Sequence, residues 1–170
     1  MCYTRAVKIF YTTQPENSGE FLRRVLALCG VDEPILRTSN GKPYLASGAC
    51  RFSLTHTEGL LAVAVSAQEV GLDAEYNRPR AAGAYQKRLT PAEQDEVFWE
   101  LWTAKEAYIK YRGETLARLL NRLRYEQGML FDGTMSVDAV LKHVQLENCT
   151  LCVCTRETEE IELIQTGGSQ

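Results

Sequence analysis

One segment, residues 102–110, constrains the fold of this chain more than any other. It follows a strong signal for the start of a helix, in which Thr90 suits the N-cap, Pro91 the first helical position and Glu93 the partner position of a capping box. Gly113 then supplies a C-terminal stop. The pattern predicts one helix from residue 90 to Gly113.

Inside this predicted helix, an aromatic side chain, a carboxylate and a lysine share one stripe. At about 3.6 residues per turn, Trp102, Glu106 and Lys110 recur along that stripe. Lys105 lies about 100° from Glu106 on the same turn. Two lysines are therefore predicted to flank one carboxylate.

A second segment, residues 70–76, supplies two more carboxylates. It follows the apolar run of residues 60–65 after a short turn, and the two runs together predict a β-hairpin. Strand alternation puts Asp73 and Glu75 on one face. If Glu106 packs beside that face, three carboxylates meet. Hard oxygen ligands of this kind favour Mg²⁺, with Mn²⁺ as the alternative, over zinc.

Each part of this arrangement also has a simpler interpretation. Glu106 and Lys110 alone would form an ordinary surface pair four residues apart. Asp73 and Glu75 alone would belong to a solvated strand face. Only their convergence on a cation would make a site, where Lys105 and Lys110 would take a phosphate that bridges the metal.

Four short motifs follow one another along the middle of the chain. They are Asn40-Gly41-Lys42-Pro43-Tyr44, Phe52-Ser53-Leu54-Thr55-His56-Thr57, Gly71-Leu72-Asp73-Ala74-Glu75 and Trp102-Thr103-Ala104-Lys105-Glu106-Ala107-Tyr108-Ile109-Lys110. Together they resemble the signature motifs of the 4′-phosphopantetheinyl transferases, in the Sfp-like branch of that family. The resemblance covers the chain from about Gly41 to Gly113.

The resemblance implies an activity of the holo-[acyl-carrier-protein] synthase type. The 4′-phosphopantetheine group of coenzyme A would be transferred to a serine of an acyl or peptidyl carrier protein, with Mg²⁺ as cofactor and release of adenosine 3′,5′-bisphosphate. Lys42 and Pro43 would border the adenine end of coenzyme A, while Thr55 and His56 would lie at its 3′-phosphate.

The resemblance also implies roles for the charged residues. Asp73 and Glu106 would hold the metal, with Glu75 as a third ligand or as a group behind the ligands. Lys105 and Lys110 would contact the coenzyme and stabilise developing charge. Glu106, or a water on the metal beside it, would accept the serine proton, so catalysis would depend on Glu106, Lys110 and Asp73.

Two other functions stay open. The short N-terminal half could leave a non-catalytic module that binds coenzyme A or a carrier protein, although Asp73, Glu106 and Lys110 are all present. A metal-dependent phosphohydrolase could use the same carboxylates. It would have no use for the Gly41-Lys42-Pro43 and Thr55-His56 segments.

Composition and charge argue against several classes of protein. The net charge of −3 disfavours a nucleic-acid binder that depends on a broad basic surface. No apolar run reaches membrane-spanning length and the first residues lack a signal-peptide core, so we expect a cytoplasmic protein that does not bind membranes. We also expect a monomer. The segment Cys149-x-x-Cys152-x-Cys154 alternates as a buried strand does, which favours a strand over a zinc site.

The order of predicted elements indicates an α+β fold. The resemblance implies two similar α+β halves in one chain, with coenzyme A bound by residues 1–70 and with the metal and the catalytic helix in residues 71–165. The polar tail, residues 166–170, is predicted to fray. The resemblance further implies that the segment 77–89 contacts the carrier protein, an acidic helical bundle, and its basic residues suit such a partner by charge. Alternatively, these charges only keep a loop soluble.

Overall fold

The computed structural model describes residues 6–78, 89–94 and 96–167, and these form an α+β fold, as predicted. The helices of this part are α1 Ser18–Leu28, α2 Phe98–Arg112 and the single turn α3 Leu116–Leu119. Its strands are β1 Ala6–Thr12, β2 Ile35–Arg37, β3 Pro43–Leu45, β4 Arg51–Thr57, β5 Leu60–Ser66, β6 Gly71–Tyr76, β7 Leu123–Glu126, β8 Met129–Asp132, β9 Met135–Ser136, β10 Val140–Leu146, β11 Cys149–Thr155 and β12 Glu160–Gln165. Among the described residues, no helix is both long and apolar enough to cross a membrane.

The first large sheet has the strand order β12-β1-β5-β4 and carries α1 on one face. Asn17 fixes the start of α1 by accepting hydrogen bonds from the N–H groups of Gly19 and Glu20. Phe21 and Val25 of this helix are fully buried against the sheet. Strand β1 pairs antiparallel with β5 and parallel with β12. The last strand therefore lies beside the first.

The second large sheet has the order β10-β11-β6 and carries α2. The predicted hairpin of residues 60–65 with residues 70–76 is wrong, because β5 pairs with β1 and β4 while β6 pairs with β11. Strand β11 is buried along its whole length, with Cys152 and Cys154 in the cluster that contains Ala104 of α2. The strand predicted for this cysteine-rich segment is confirmed. The two sheets share a core that includes Ile9 of the first and Leu151 of the second, so the layers run helix, sheet, sheet, helix.

Along β4 and β6 the two sheets are joined by side chains. Hydroxyl groups on one face of β4 accept hydrogen bonds from N–H groups of β6. The pairs are Ser53 with Leu72 at 2.9 Å, Thr55 with Ala74 at 3.2 Å and Thr57 with Tyr76 at 3.1 Å. We call Ser53, Thr55 and Thr57 the hydroxyl row. It holds β6, and with it Asp73 and Glu75, against the first sheet.

The predicted start of the long helix at residue 90 is wrong. Glu93 does form a capping box with Thr90, but the box closes a single 3-10 turn over Pro91–Glu93. Val97 is extended, with φ −66° and ψ 112°, and α2 begins only after it. The predicted end is confirmed, because Gly113 adopts the left-handed conformation with φ 63°.

Helix α2 approaches β6 so closely that residue 71 has no room for a side chain. A Cβ atom on Gly71 would lie 2.0 Å from the carbonyl oxygen of Ala107 and 2.6 Å from the backbone nitrogen of Tyr111. Gly71→Ala is expected to lower the free energy of unfolding by about 1–3 kcal/mol, because the helix must move away from the strand. Denaturation in urea measures the loss.

The matched control for that variant is Gly19→Ala. An added Cβ there meets only the side-chain oxygen of Asn17, at 3.2 Å, which can shift by a few tenths of an ångström, so the loss should be smaller than in Gly71→Ala. A Gly71→Ala protein as stable as its parent would contradict the close approach of α2 to β6.

The two-half organisation stays a prediction. Strand β6 begins at the predicted boundary, yet β12 of the predicted second half completes the sheet of the first. The N–H group of Thr166 donates to the carbonyl oxygen of Tyr11 at 2.8 Å, so the segment predicted to fray is held at its first residue. Residues 168–170 lie outside the described residues.

Candidate active site

The acidic motif of β6 and the charged stripe of α2 lie together. Asp73 is 4% exposed, and the Lys110 Nζ atom lies 2.7 Å from its Oδ1 atom and 3.1 Å from the carbonyl oxygen of Leu72. The Thr55 hydroxyl donates to the same Oδ1 atom at 3.2 Å. The Oδ2 atom is also buried and has no hydrogen-bond partner among the described residues. One oxygen of this carboxylate is engaged twice while the other is unpaired.

The pKa values of Glu106 and Glu75 are shifted by burial and by the nearby charge of Asp73. Burial and then the negative charge of Asp73 raise the pKa of Glu106 to about 7, and Lys110 offsets part of this. Burial and the charge of Asp73 also raise the pKa of Glu75, which a hydrogen bond from Trp102 partly lowers. Burial raises the pKa of Asp73 against the opposing charge of Lys110. Ionisation of all three carboxylates at once would leave more negative charge than one lysine neutralises, which is why their pKa values are raised.

The three carboxylates together fit a hard divalent cation by donor type and charge. Carboxylate oxygens are the ligands that Mg²⁺ and Mn²⁺ prefer, and the unpaired Oδ2 atom of Asp73 is a buried acceptor without a donor. In residues 6–78, 89–94 and 96–167, no three His, Cys, Asp or Glu side chains stand close enough to hold a metal ion as they are. The fit thus rests on the donors and not on a preformed ligand geometry.

Lys105, predicted beside Lys110 in the coenzyme site, lies elsewhere. Its Nζ atom is 2.6 Å from the Oε1 atom of Glu93, and the two side chains are 6% and 0% exposed. Glu93 also accepts hydrogen bonds from the N–H groups of Thr90 and Tyr125. Burial favours a higher pKa for Glu93, but these three hydrogen bonds outweigh it and lower the pKa. Lys105 is held in a buried ion pair that docks the 3-10 turn against α2.

A cleft of about 300 Å³ connects the predicted adenine end of the site with Lys110. It runs between the N-terminus of α1, the Gly41-Lys42-Pro43 segment and the C-terminal end of α2. Its walls include Gly19, Arg37, Lys42, Pro43, Leu54 and Lys110. Lys42 itself forms an ion pair with Glu69. Two residues of separate sequence motifs, Pro43 and Lys110, therefore face one cavity.

Thr55 and His56, predicted together at one phosphate, point to opposite sides of β4. The Thr55 side chain is 4% exposed and faces β6. The His56 side chain is exposed and lines a separate groove of about 470 Å³ beside Asn17 and Ser18, where α1 starts. Strand alternation separates the two residues, because neighbours along a strand project to opposite faces.

A wider groove of about 760 Å³ opens beside the carboxylates, and none of the four motifs predicts it. Glu75, Trp102 and Glu106 form one side, and Leu116 and Leu120 form the other. The apolar positions of that second side indicate a short helix from sequence, but not that the helix borders the acidic residues. Glu75 and Glu106 are thus accessible from this groove, whereas Asp73 is buried behind them.

The fold places the three carboxylates of Asp73, Glu75 and Glu106 beside a cleft whose volume is in the range of small-molecule sites. Enzymes that act on phosphate esters with a metal ion have such an arrangement. Residues 69–148 match the family model described as the 4′-phosphopantetheinyl transferase superfamily. This segment contains the β6 motif, α2 and β11's partner strand β10. The chain belongs to the 4′-phosphopantetheinyl transferase superfamily.

Several curated proteins of this superfamily are similar to the chain. It is 32% identical over 136 residues to the 4′-phosphopantetheinyl transferase AcpT of Escherichia coli (strain K12). The aligned residues cover 71% of this chain and 65% of that protein. It is 30% identical over 130 residues to AcpT of Salmonella typhimurium, over 68% and 63% of the two chains. For the 4′-phosphopantetheinyl transferase HetI of Nostoc sp., the identity is 32% over 99 residues, which cover 48% and 42%. The chain spans about two thirds of the length of the AcpT proteins.

Proposed function

We propose that this protein transfers the 4′-phosphopantetheine group of coenzyme A to a serine of an acyl or peptidyl carrier protein and releases adenosine 3′,5′-bisphosphate. One observation carries the proposal. Asp73, with its unpaired buried oxygen, and Lys110 lie where the cleft bordered by Lys42 and Pro43 meets the carboxylates. Membership of the superfamily supports the same reaction. The Sfp-like branch, the holo-[acyl-carrier-protein] synthase type, a monomeric state and a cytoplasmic location remain predictions.

In the proposed reaction the serine hydroxyl attacks the phosphorus that carries the pantetheine arm. The new bond joins the serine oxygen to that phosphorus, and the bond to the bridging oxygen of the pyrophosphate breaks. Glu106, or a water on the metal beside it, is the proposed base for the serine proton. Lys110 lines the cleft next to Asp73 and is placed to neutralise charge on the leaving phosphate.

Mg²⁺ is the proposed metal, with Mn²⁺ as the alternative. Asp73 and Glu106 would hold it, and Glu75 would be a third ligand or a group behind the ligands. When bound, the ion neutralises charge on the pyrophosphate. We leave Lys105 out of the proposed coenzyme site because its ammonium group is committed to Glu93.

The proposed position of coenzyme A follows the two cavities beside β4. The adenine end would enter the cleft at Lys42 and Pro43, and the pyrophosphate would lie toward Lys110. His56 lies in the adjoining groove at the start of α1, where a 3′-phosphate would meet the positive end of the helix dipole. The wider groove beside Glu75 and Glu106 is left for the serine-bearing segment of the carrier.

Contact with an acidic carrier remains a proposal. Of the basic residues in the segment 77–89, only Arg78 is described, where it pairs with Glu58 and lies over the Tyr76 ring. Arg80, Lys87 and Arg88 lie outside the described residues.

Intact-mass spectrometry tests the proposed reaction. Several apo carrier proteins are each incubated with this protein, coenzyme A and Mg²⁺. At least one of them is expected to gain the mass of one phosphopantetheine group. EDTA should prevent the gain. Asp73→Asn is the matched variant, since it keeps the side-chain shape while removing the charge. If no carrier gains mass although coenzyme A binds measurably, the transferase hypothesis is rejected in favour of the non-catalytic binding module.

A further inference from the structure

We propose that Thr55 is a positioning residue for Asp73 and not a ligand of coenzyme A. Its hydroxyl fixes the orientation of the Asp73 carboxylate so that the Oδ2 atom is the one presented to the cation. The proposal rests on the proposed function, because it concerns the metal-binding carboxylate of that reaction. It assigns Thr55 a role different from the one implied by sequence resemblance.

The hydrogen bonds of Thr55 determine in which direction its hydroxyl proton points. A threonine hydroxyl has one proton to donate and lone pairs to accept with. The N–H group of Ala74 donates to the Thr55 oxygen at 3.2 Å, so the proton is available to the Oδ1 atom of Asp73, also at 3.2 Å. The hydroxyl therefore ties the backbone of β6 and the carboxylate of the same strand to one point on β4.

Thr55 and Lys110 together determine which carboxylate oxygen stays available. Both donate to the Oδ1 atom of Asp73, Lys110 at 2.7 Å. The Oδ2 atom is left buried without a partner among the described residues, a state that ordinarily costs free energy. Rotation of the carboxylate away from this orientation would break both hydrogen bonds to Oδ1. The two donors thus keep one acceptor free for a cation.

The position of Thr55 also separates it from the coenzyme cleft. Only 4% of the residue is exposed, and its side chain is part of the hydroxyl row between the sheets. The residues of β4 that line the cleft are Phe52, Ser53 and Leu54. A buried hydroxyl already engaged by two partners has no surface to offer a phosphate.

The other members of the hydroxyl row provide a comparison within the same strand. Ser53 accepts from the N–H group of Leu72 at 2.9 Å, and no hydrogen bond joins it to a carboxylate in the described residues. Thr57 accepts from Tyr76 and contacts Glu75 at 3.5 Å, which is a weaker interaction. Ser53 therefore shows that a hydroxyl of this row can hold β6 without orienting a carboxylate, although Ser53 also lines the coenzyme cleft.

Mn²⁺ binding measured by electron paramagnetic resonance, on the full chain with coenzyme A present, tests the proposal. Thr55→Val is expected to weaken Mn²⁺ binding by about 10–100-fold, the usual effect of removing a hydrogen bond to a metal ligand, and Thr55→Ser to restore it. Thr12→Val, which removes a buried hydroxyl that accepts from the N–H group of Gln14 away from the cleft, should keep the Mn²⁺ affinity of the parent. Coenzyme A binding in EDTA, measured by calorimetry, should be equal in Thr55→Val and the parent. If Thr55→Val does not fold, Thr55→Ala replaces it.

The outcomes separate this proposal from the proposed reaction. Weaker coenzyme A binding with unchanged Mn²⁺ affinity in Thr55→Val would make Thr55 a coenzyme ligand and overturn the proposal. Parent protein that binds no Mn²⁺ would overturn it as well. If the parent modifies no carrier, but Thr55→Val loses Mn²⁺ affinity and Thr55→Ser regains it, the positioning role stands and the transferase assignment fails.

Discussion

Replacing Glu106 by glutamine is expected to lower the rate of phosphopantetheine transfer by at least about 100-fold while the protein stays folded. Glutamine keeps the size of the side chain, but it can neither accept the serine proton nor contribute negative charge to a cation held with Asp73. The rate is measured as the gain of carrier mass over time. Glu100→Gln is the matched control, because Glu100 lies six residues earlier on another face of α2.

The stability of Glu106→Gln separates a functional role from a structural one. The pKa of Glu106 is raised from 4.5 to about 7 in the folded protein, so ionisation of this group favours the unfolded state as pH rises above 4.5. Glutamine cannot ionise and avoids that loss. In EDTA at about pH 8, the variant should be at least as stable to heat as the parent. Transfer at the parental rate would disprove the role of Glu106, and a marked loss of stability would point to a structural one.

Separating the buried pair of Lys105 and Glu93 is expected to cost about 3–5 kcal/mol of unfolding free energy. The Lys105→Met variant leaves the Glu93 carboxylate fully buried without its cation, and Glu93→Gln leaves the Lys105 ammonium group buried without its anion. The glutamine oxygen can accept from only one of the N–H groups of Thr90 and Tyr125, which bond different oxygens of Glu93, but the double variant removes both charges. Its loss should be well below the sum of the single losses. Urea denaturation of all four proteins measures the coupling.

The pair also has a pH signature with a definite sign. The folded-state pKa of Glu93 lies below its ordinary value of 4.5, so its stabilising effect is present above pH 4.5 and disappears as pH falls through the folded-state pKa. Glu93→Gln should therefore lose less stability than the parent on acidification. In the double variant, a raised KM for coenzyme A would show that Lys105 contacts the coenzyme after all. An unchanged KM agrees with the buried pair.

Periodicity predicted the central part of the site because both elements are regular there. A spacing of four residues puts Glu106 and Lys110 on one stripe of α2, and alternation puts Asp73 on the strand face that meets them. The structure brings Lys110 within 2.7 Å of Asp73 in agreement with that pattern. Such local rules hold wherever a helix and a strand pack without interruption.

The predicted start of the long helix and the predicted hairpin of β5 with β6 fail because of contacts that local patterns do not contain. The capping box at Thr90 and Glu93 was a correct local signal, but it does not reveal whether the chain continues as a helix. Here Glu93 turns inward to Lys105 and Tyr125, which are distant along the chain. Resemblance also grouped Thr55 with His56, although strand alternation already separates neighbouring side chains. In that case a physical rule present in the sequence was more informative than the motif.

The parallel pairing of β12 with β1 has a consequence for how the chain folds. Almost the whole described chain lies between these two strands, so their contact closes a long loop and belongs to the slow, non-local class of folding events. Until residues 160–165 arrive, β1 presents an open edge to other chains, as unpaired edge strands do. During synthesis on the ribosome, the first sheet can therefore be completed only after the last strand has been made.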